Sequence, residues 1–296
     1  MNRYALFLGC TTSTQVVQYE LSARWVCHHL GIDLFDIGDF LCCGINQINL
    51  SHEAGLLLAA ANLAYAEQAS LDILTLCAAC TGALSEAVET LRDEETRDRV
   101  NRKLESIGLE YRGKTRVKHI SRVLVEDIGI DKIKNRVRRD FSKIRAAPHY
   151  GCHTLKPESA FDGFDDPDNP QSLHQLISAT GAVPVPYETL NLCCGGKSFP
   201  VSHEPAFFLI QNKLDNLMNK NIDCLVVQCQ TCYLMYSDQQ LAINKRFEKQ
   251  YKIPVLLYPQ LLGMALGGDP KKDLALDLNA IPLDDLLEKA DIRSKL

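Results

Sequence analysis

Cys42-Cys43-Gly44-Ile45-Asn46-Gln47-Ile48-Asn49-Leu50-Ser51-His52-Glu53 is echoed by Cys193-Cys194-Gly195-Gly196-Lys197-Ser198-Phe199-Pro200-Val201-Ser202-His203-Glu204. Each version is a Cys-Cys-Gly triplet followed by Ser-His-Glu, whose serine stands eight residues after the second cysteine. Upstream lie Gly9-Cys10 and Gly151-Cys152; downstream lie Cys77-Ala78-Ala79-Cys80 and Cys229-Gln230-Thr231-Cys232. The span from Cys43 to Cys77 differs by one residue from that between Cys194 and Cys229, and an insertion distinguishes the Cys152–Cys193 span from Cys10–Cys42. Cysteine order and the Ser-His-Glu tripeptide are independent markers, so their agreement makes the chain an internal duplication.

In each copy the serine reads as a helix N-cap, with Glu53 or Glu204 in the first turn facing the positive end of the helix dipole. Residues 4–8 are strand-like, 16–30 helical, 31–37 strand-like and 51–69 a long amphipathic helix. Residues 73–76 run as a strand into the first Cys-x-x-Cys pair, and 82–91 resume a helix. The second copy follows with 182–187 extended, 204–219 helical and 224–227 extended; 117–120 and 254–258 each lead into a further helix. This alternation predicts an α/β fold, two tandem pseudo-symmetric domains, each a small mostly parallel sheet with flanking helices. The expected units are residues 1–145, with a charged helical insertion over 93–145, and residues 146–296, with a C-terminal tail carrying a short helix around Asp284, Asp285 and Glu288. The basic run 132–139 is either a solvated helix face or a docking surface for an acidic partner.

A chain of 296 residues with 46% hydrophobic content can bury sizeable cores. Its net charge of −5 lacks the basic surplus expected of a nucleic-acid partner. The opening residues have too short an apolar run for a secretory signal, and residues 56–66, interrupted by Asn62, are too short for a bilayer. The expectation is a cytoplasmic protein without direct membrane insertion. Twelve cysteines in such a compartment point to metal ligands or catalysts rather than disulfides.

Because each set follows strand-like runs, its three cysteine loops should converge at the carboxyl edge of one sheet, where open α/β folds place ligands. A structural zinc site wants four ligands, usually two Cys-x-x-Cys-like pairs. Each copy offers one such pair, an adjacent Cys-Cys and a lone Cys, which suits neighbouring irons of a multinuclear centre better than one tetrahedral ion. Zinc and thioredoxin-like redox chemistry stay open as readings of a lone Cys-x-x-Cys. Cys27 and Cys224 have no counterparts and read as ordinary buried thiols.

The twice-written pattern Cys, Cys-Cys-Gly, Cys-x-x-Cys resembles the cysteine-rich CCG domain, and two such domains in one chain resemble the B subunit of heterodisulfide reductase. His149-Tyr150-Gly151-Cys152-His153-Thr154-Leu155-Lys156-Pro157 is similar to the opening of that family's second domain. The resemblance implies two noncubane [4Fe-4S] clusters: one on Cys10, Cys42, Cys43, Cys77 and Cys80, the other on Cys152, Cys193, Cys194, Cys229 and Cys232. It implies reduction, or reversible formation, of a disulfide such as CoM-S-S-CoB. Electrons would arrive from two partners of a multi-subunit complex, the ferredoxin-like iron–sulfur C subunit and the flavin-containing A subunit. The family's methanogen members tend to carry Cys-Cys-Pro where this chain has Cys42-Cys43-Gly44, so the resemblance does not name the substrate.

Beside the second set, Lys156 and Lys197 could hold anionic groups of a thiol substrate or simply offset cluster charge. His153 could protonate a departing thiolate or make a structural hydrogen bond. No nucleotide or flavin motif stands out, so electrons must come from partner subunits. The competing readings are an electron-relay protein without its own sulfur substrate and a zinc-bearing scaffold.

Overall fold

The computed structural model describes residues 2–292; the last four residues of the expected tail lie outside the described residues. Strands β1 (Asn2–Phe7), β2 (Ile32–Phe35), β3 (Asp72–Thr75) and β4 (Val117–His119) form a parallel sheet in the order β2-β1-β3-β4. Strands β5 (Arg145–His149), β6 (Val183–Pro184), β7 (Cys224–Val227) and β8 (Val255–Leu257) repeat it as β6-β5-β7-β8. The duplication is thus one of topology. Its register pairs Phe7 with Thr75 and Thr75 with His119, and His149 with Val227 and Val227 with Leu257. Phe7 therefore corresponds to His149, and His119 to Leu257.

The central strands read as apolar runs because both their faces are covered: Ile73, Leu74 and Thr75 are buried, as are all residues of β7. On β1 the faces separate. Tyr4 and Leu6 look into one core with Val26 and Leu30 of the helix Val17–Leu30. Ala5 and Phe7 look into another with Ala59 and Leu63 of the helix His52–Gln68. The first core continues without a break into the second half, through Ala146, Leu225 and Leu261. Each of its large apolar side chains contributes about 1.5–3 kcal/mol by leaving water.

The join between the halves is reciprocal. The helix Val17–Leu30 packs on the helix Tyr258–Ala265, and the helix Ser172–Ala179 packs on the turns around residues 120–128. Likewise the helix Gly9–Gln15 meets the helix Gln230–Tyr236, while the helix Ala78–Thr90 meets the turn Cys152–Thr154. Equivalent elements thus exchange places across a pseudo-two-fold axis.

Local departures from the sequence reading have local causes. The polar stretch after Cys10 is helical, two of its hydroxyls donating back to backbone: Ser13 and Thr14 both bond the Cys10 carbonyl, at 3.2 and 2.7 Å. The helix after β3 starts at Ala78, inside the cysteine pair. Ser51 caps as expected, accepting from the Ala54 N–H at 3.2 Å, whereas Ser202 has the extended N-cap backbone but no cap bond. Of the charged insertion, the helix Glu94–Leu104 buries only Val100 and Leu104. Two arginines of the basic run donate to this chain's own carbonyls, while Lys132, Lys134 and Arg138 stay exposed. Arg139 donates to Met264 O and Gly268 O at 3.0 and 2.9 Å, at the negative end of the helix Tyr258–Ala265, and Arg136 donates to His29 O. The tail helix Asp284–Lys289 docks through buried Leu286 and Leu287.

Candidate metal centres

All ten cysteines of the two sets lie at the carboxyl edges of the sheets. Cys10 follows β1, Cys42 and Cys43 lie in the loop after β2, and Cys77 and Cys80 follow β3; Cys152, Cys193, Cys194, Cys229 and Cys232 repeat these places. Adjacent β1 and β3, and β5 and β7, form the switch point at which such folds open a crevice. Exposure is the same in both sets: the first cysteine and the first of the adjacent pair are exposed, and the other three are buried.

The thiols shift one another's protonation in sequence. In the first half Cys42 acts with Cys43, Cys43 with Cys80, and Cys80 with Cys77. In the second half this mutual influence runs through all five, from Cys152 to Cys193, Cys194, Cys232 and Cys229. Backbone donors add to this: the Cys80 N–H reaches Cys77 Sγ at 3.2 Å and the Gly195 N–H reaches Cys193 Sγ at 3.3 Å. A hydrogen bond from the Cys80 thiol, with help from the Ile45 N–H, pulls Cys43 down to about 7. Cys193 is pulled down by the thiols of Cys152 and Cys194, and Cys229 by the Cys232 thiol and by backbone N–H groups, one of them from Ala78 across the join. Cys27 and Cys224 stand apart, buried and pushed up by burial, Cys27 to about 12. Among the described residues, no three His, Cys, Asp or Glu side chains gather tightly enough to ligate one ion.

The glycine of each Cys-Cys-Gly is required by backbone geometry. Gly44 and Gly195 have φ of +87° and +76°, and a Cβ would fall 2.5 Å from Gly55 O or 2.8 Å from Ala206 Cα. Proline, locked near −65°, cannot take that conformation.

Of the non-cysteine candidates, His153 is half-buried with its ring against Gly82 of the first half, and burial, then the charge of Lys197, keeps its pKa low. Lys156 is exposed, 3.8 Å from Asp168, at the rim of a cavity of about 80 Å³ that is also lined by His149, Cys152, Cys193, Cys194 and Cys232. Lys197 is exposed.

Three buried groups that the sequence reading passed over flank the sites, and two of them pin the cysteine loops. Asn62, buried on the helix His52–Gln68, accepts from the Leu41 N–H at 2.7 Å and donates to Cys42 O at 3.1 Å. Lys213 stands ten residues after His203 as Asn62 stands ten after His52, and it too is buried and holds the cysteine loop, through Leu190 O at 3.0 Å and Thr189 O. His149 is buried with neither ring nitrogen partnered, edge-on to Tyr236. Only alignment of the two copies could have flagged the Asn62–Lys213 pair, since both sit inside apolar helix faces.

The cysteine-rich domain family CCG matches residues 4–85 and again 146–237. The B subunit of ferredoxin:CoB-CoM heterodisulfide reductase from Methanosarcina mazei is 33% identical over 98% of this chain and 97% of its own length. The chain belongs to the family of heterodisulfide reductase B subunits. It is also 32% identical to a B-subunit-like heterodisulfide reductase protein of Archaeoglobus profundus, over 98% of each chain. A further relative is the 8-methylmenaquinol:fumarate reductase membrane anchor subunit of Wolinella succinogenes, 32% identical over 94% of this chain and 96% of that one. Among the described residues of this chain, no helix is long and apolar enough to cross a membrane. A hypothetical protein from Helicobacter pylori shares the fold at TM-score 0.75 and 17% identity; this chain covers 52% of that longer one.

The donor set fits the iron–sulfur group implied by the family. Such clusters are held by cysteine thiolates, and each half brings five thiols to one edge with donors already aimed at their sulfurs. Lys213, buried so that its pKa falls to about 7, is pushed back toward its charged form by the thiols of Cys232, Cys194 and Cys193, which fits an anionic group held there.

Proposed function

We propose that this chain is the catalytic iron–sulfur subunit of a heterodisulfide reductase-like complex, acting on a disulfide such as CoM-S-S-CoB or a related thiol substrate. The observation that carries the reading is the completeness of the five-thiol set in both halves, with matching exposure of Cys10 and Cys42 and of Cys152 and Cys193. A simple relay needs four thiolates per cubane cluster. The functional units are residues 1–145 and 146–296, one noncubane [4Fe-4S] cluster each. The first is held by Cys10, Cys42, Cys43, Cys77 and Cys80, the second by Cys152, Cys193, Cys194, Cys229 and Cys232. The chemistry these clusters supply when bound is one-electron delivery to a sulfur ligand.

The overall step is balanced as cleavage of one S–S bond by two electrons and two protons to give two thiols, or its reverse. Electrons enter from the ferredoxin-like C subunit and the flavin-containing A subunit, and the complex resides in the cytoplasm. In this scheme the half-buried His153 donates a proton to a departing thiolate, and Lys156 and Lys197 hold anionic substrate groups at the rim. The second reading is an electron-relay protein without its own sulfur substrate, which the fumarate reductase relative favours.

The test is iron and acid-labile sulfide per chain in anaerobically purified protein, with paramagnetic resonance spectra before and after thiol addition. About eight irons, from two four-iron clusters, with a thiol-shifted signal are expected. Full iron indifferent to thiols makes it a relay, and zinc in place of iron sinks the redox reading.

A further inference from the structure

The two sites differ in one buried charge. Lys213 has no solvent exposure, and its hydrogen-bond partners are neutral oxygens: Tyr187 Oη at 3.3 Å, Leu190 O at 3.0 Å and Thr189 O. The aromatic faces of Tyr187 and Tyr236 lie 4.9 and 5.7 Å from its Nζ. Burial drives its pKa down to about 7, and the groups that oppose this are the thiols of Cys232, Cys194 and Cys193. No carboxylate acts on it. At the matching position the first half has Asn62, which pins its loop with no charge at all.

A buried ammonium without a counterion costs several kcal/mol, whereas an amide in the same role does not. Loop anchoring alone therefore fails to account for a lysine here. The Tyr236 hydroxyl and both ring nitrogens of His149, which lines the cavity with Cys193, Cys194 and Cys232, are buried and unpartnered, and none of them carries a negative charge.

We propose that Lys213 is a positioning residue that supplies the countercharge of the second cluster and holds its reduction potential above that of the first. The inference rests on the cluster reading above. A fixed cation stabilises the more negative, reduced state, so the second half becomes the site where an arriving electron settles. Net charge and nearby dipoles are established levers on such potentials.

The test uses the full chain, cluster-loaded and cluster-free, as wild type, Lys213→Asn, Lys213→Arg and Lys213→Met. In a redox titration followed by paramagnetic resonance, Lys213→Asn lowers the higher midpoint by at least about 59 mV, a tenfold change for one electron, and draws the two midpoints together. Lys213→Arg keeps them apart. Lys213→Met melts above wild type without clusters and below it with them, because the charge is a burden only when unpaired. A simple loop pin predicts lower melting in both states, and that result, or an unmoved midpoint at full iron, overturns the inference alone. Wild-type protein without iron in its second half overturns the inference and the cluster reading together.

Discussion

The first and second halves share sheet order, cysteine placement and the exposure pattern of those cysteines, yet they surround their thiols differently. In the first half the sheet edge carries Phe7, and the loop is pinned by neutral Asn62. In the second, His149 and Lys213 take those places, with Tyr187 and Tyr236 packed around them. Duplication therefore preserved the cysteine scaffold while the dielectric and charge around it diverged. Two copies of one cysteine frame can in this way be made electrically unequal without moving a thiol.

The comparison breaks first at the ligands. Cys43→Ala and Cys194→Ala are each expected to remove about four of about eight irons per chain, because each disables one half only. A colorimetric iron assay checks this, and loss of all iron from either variant would mean the halves do not load independently.

Acid sharpens the contrast through the two buried histidines. His119 on β4 and His149 on β5 are kept neutral by burial, His119 with a pKa near 4 against its ordinary 6.5. A histidine depressed in the folded state binds its proton only on unfolding. Stability is therefore full above pH 6.5 and lost as pH falls toward 4, by about 2 kcal/mol between pH 7 and pH 5 for His119. His119→Leu, which installs the residue found at Leu257, should flatten that part of the loss in urea unfolding at the two pH values. An unchanged pH dependence would show that the imidazole is already protonated in the fold.

The smallest effect separates the two caps. Ser51→Ala loses a real N-cap bond and should cost about 1 kcal/mol, whereas Ser202→Ala should cost a few tenths at most. Equal losses in thermal unfolding would mean that Ser202 caps its helix in solution.

The duplicated α/β fold was legible because its signals are local. Alternating apolar runs mark the strands, and the Ser-His-Glu tripeptides mark where the helices His52–Gln68 and His203–Met218 begin. The helix Gly9–Gln15 was not, since its polar residues leave no apolar stripe, Ser13 and Thr14 bonding back to the Cys10 carbonyl. In the basic run 132–139 a charge count is blind to the helix end at Ala265 that Arg139 caps.

By itself the sequence determined the cysteine inventory: ten thiols in two equivalent sets, with glycine after each adjacent pair. Thiol chemistry and a left-handed turn are properties of residue type and spacing. Only the tertiary structure decided that Lys213 is dry and that His153 packs against Gly82. The physical reason is that a side chain's charge is written in the chain, but the dielectric around it is set by whatever distant segments fold over it.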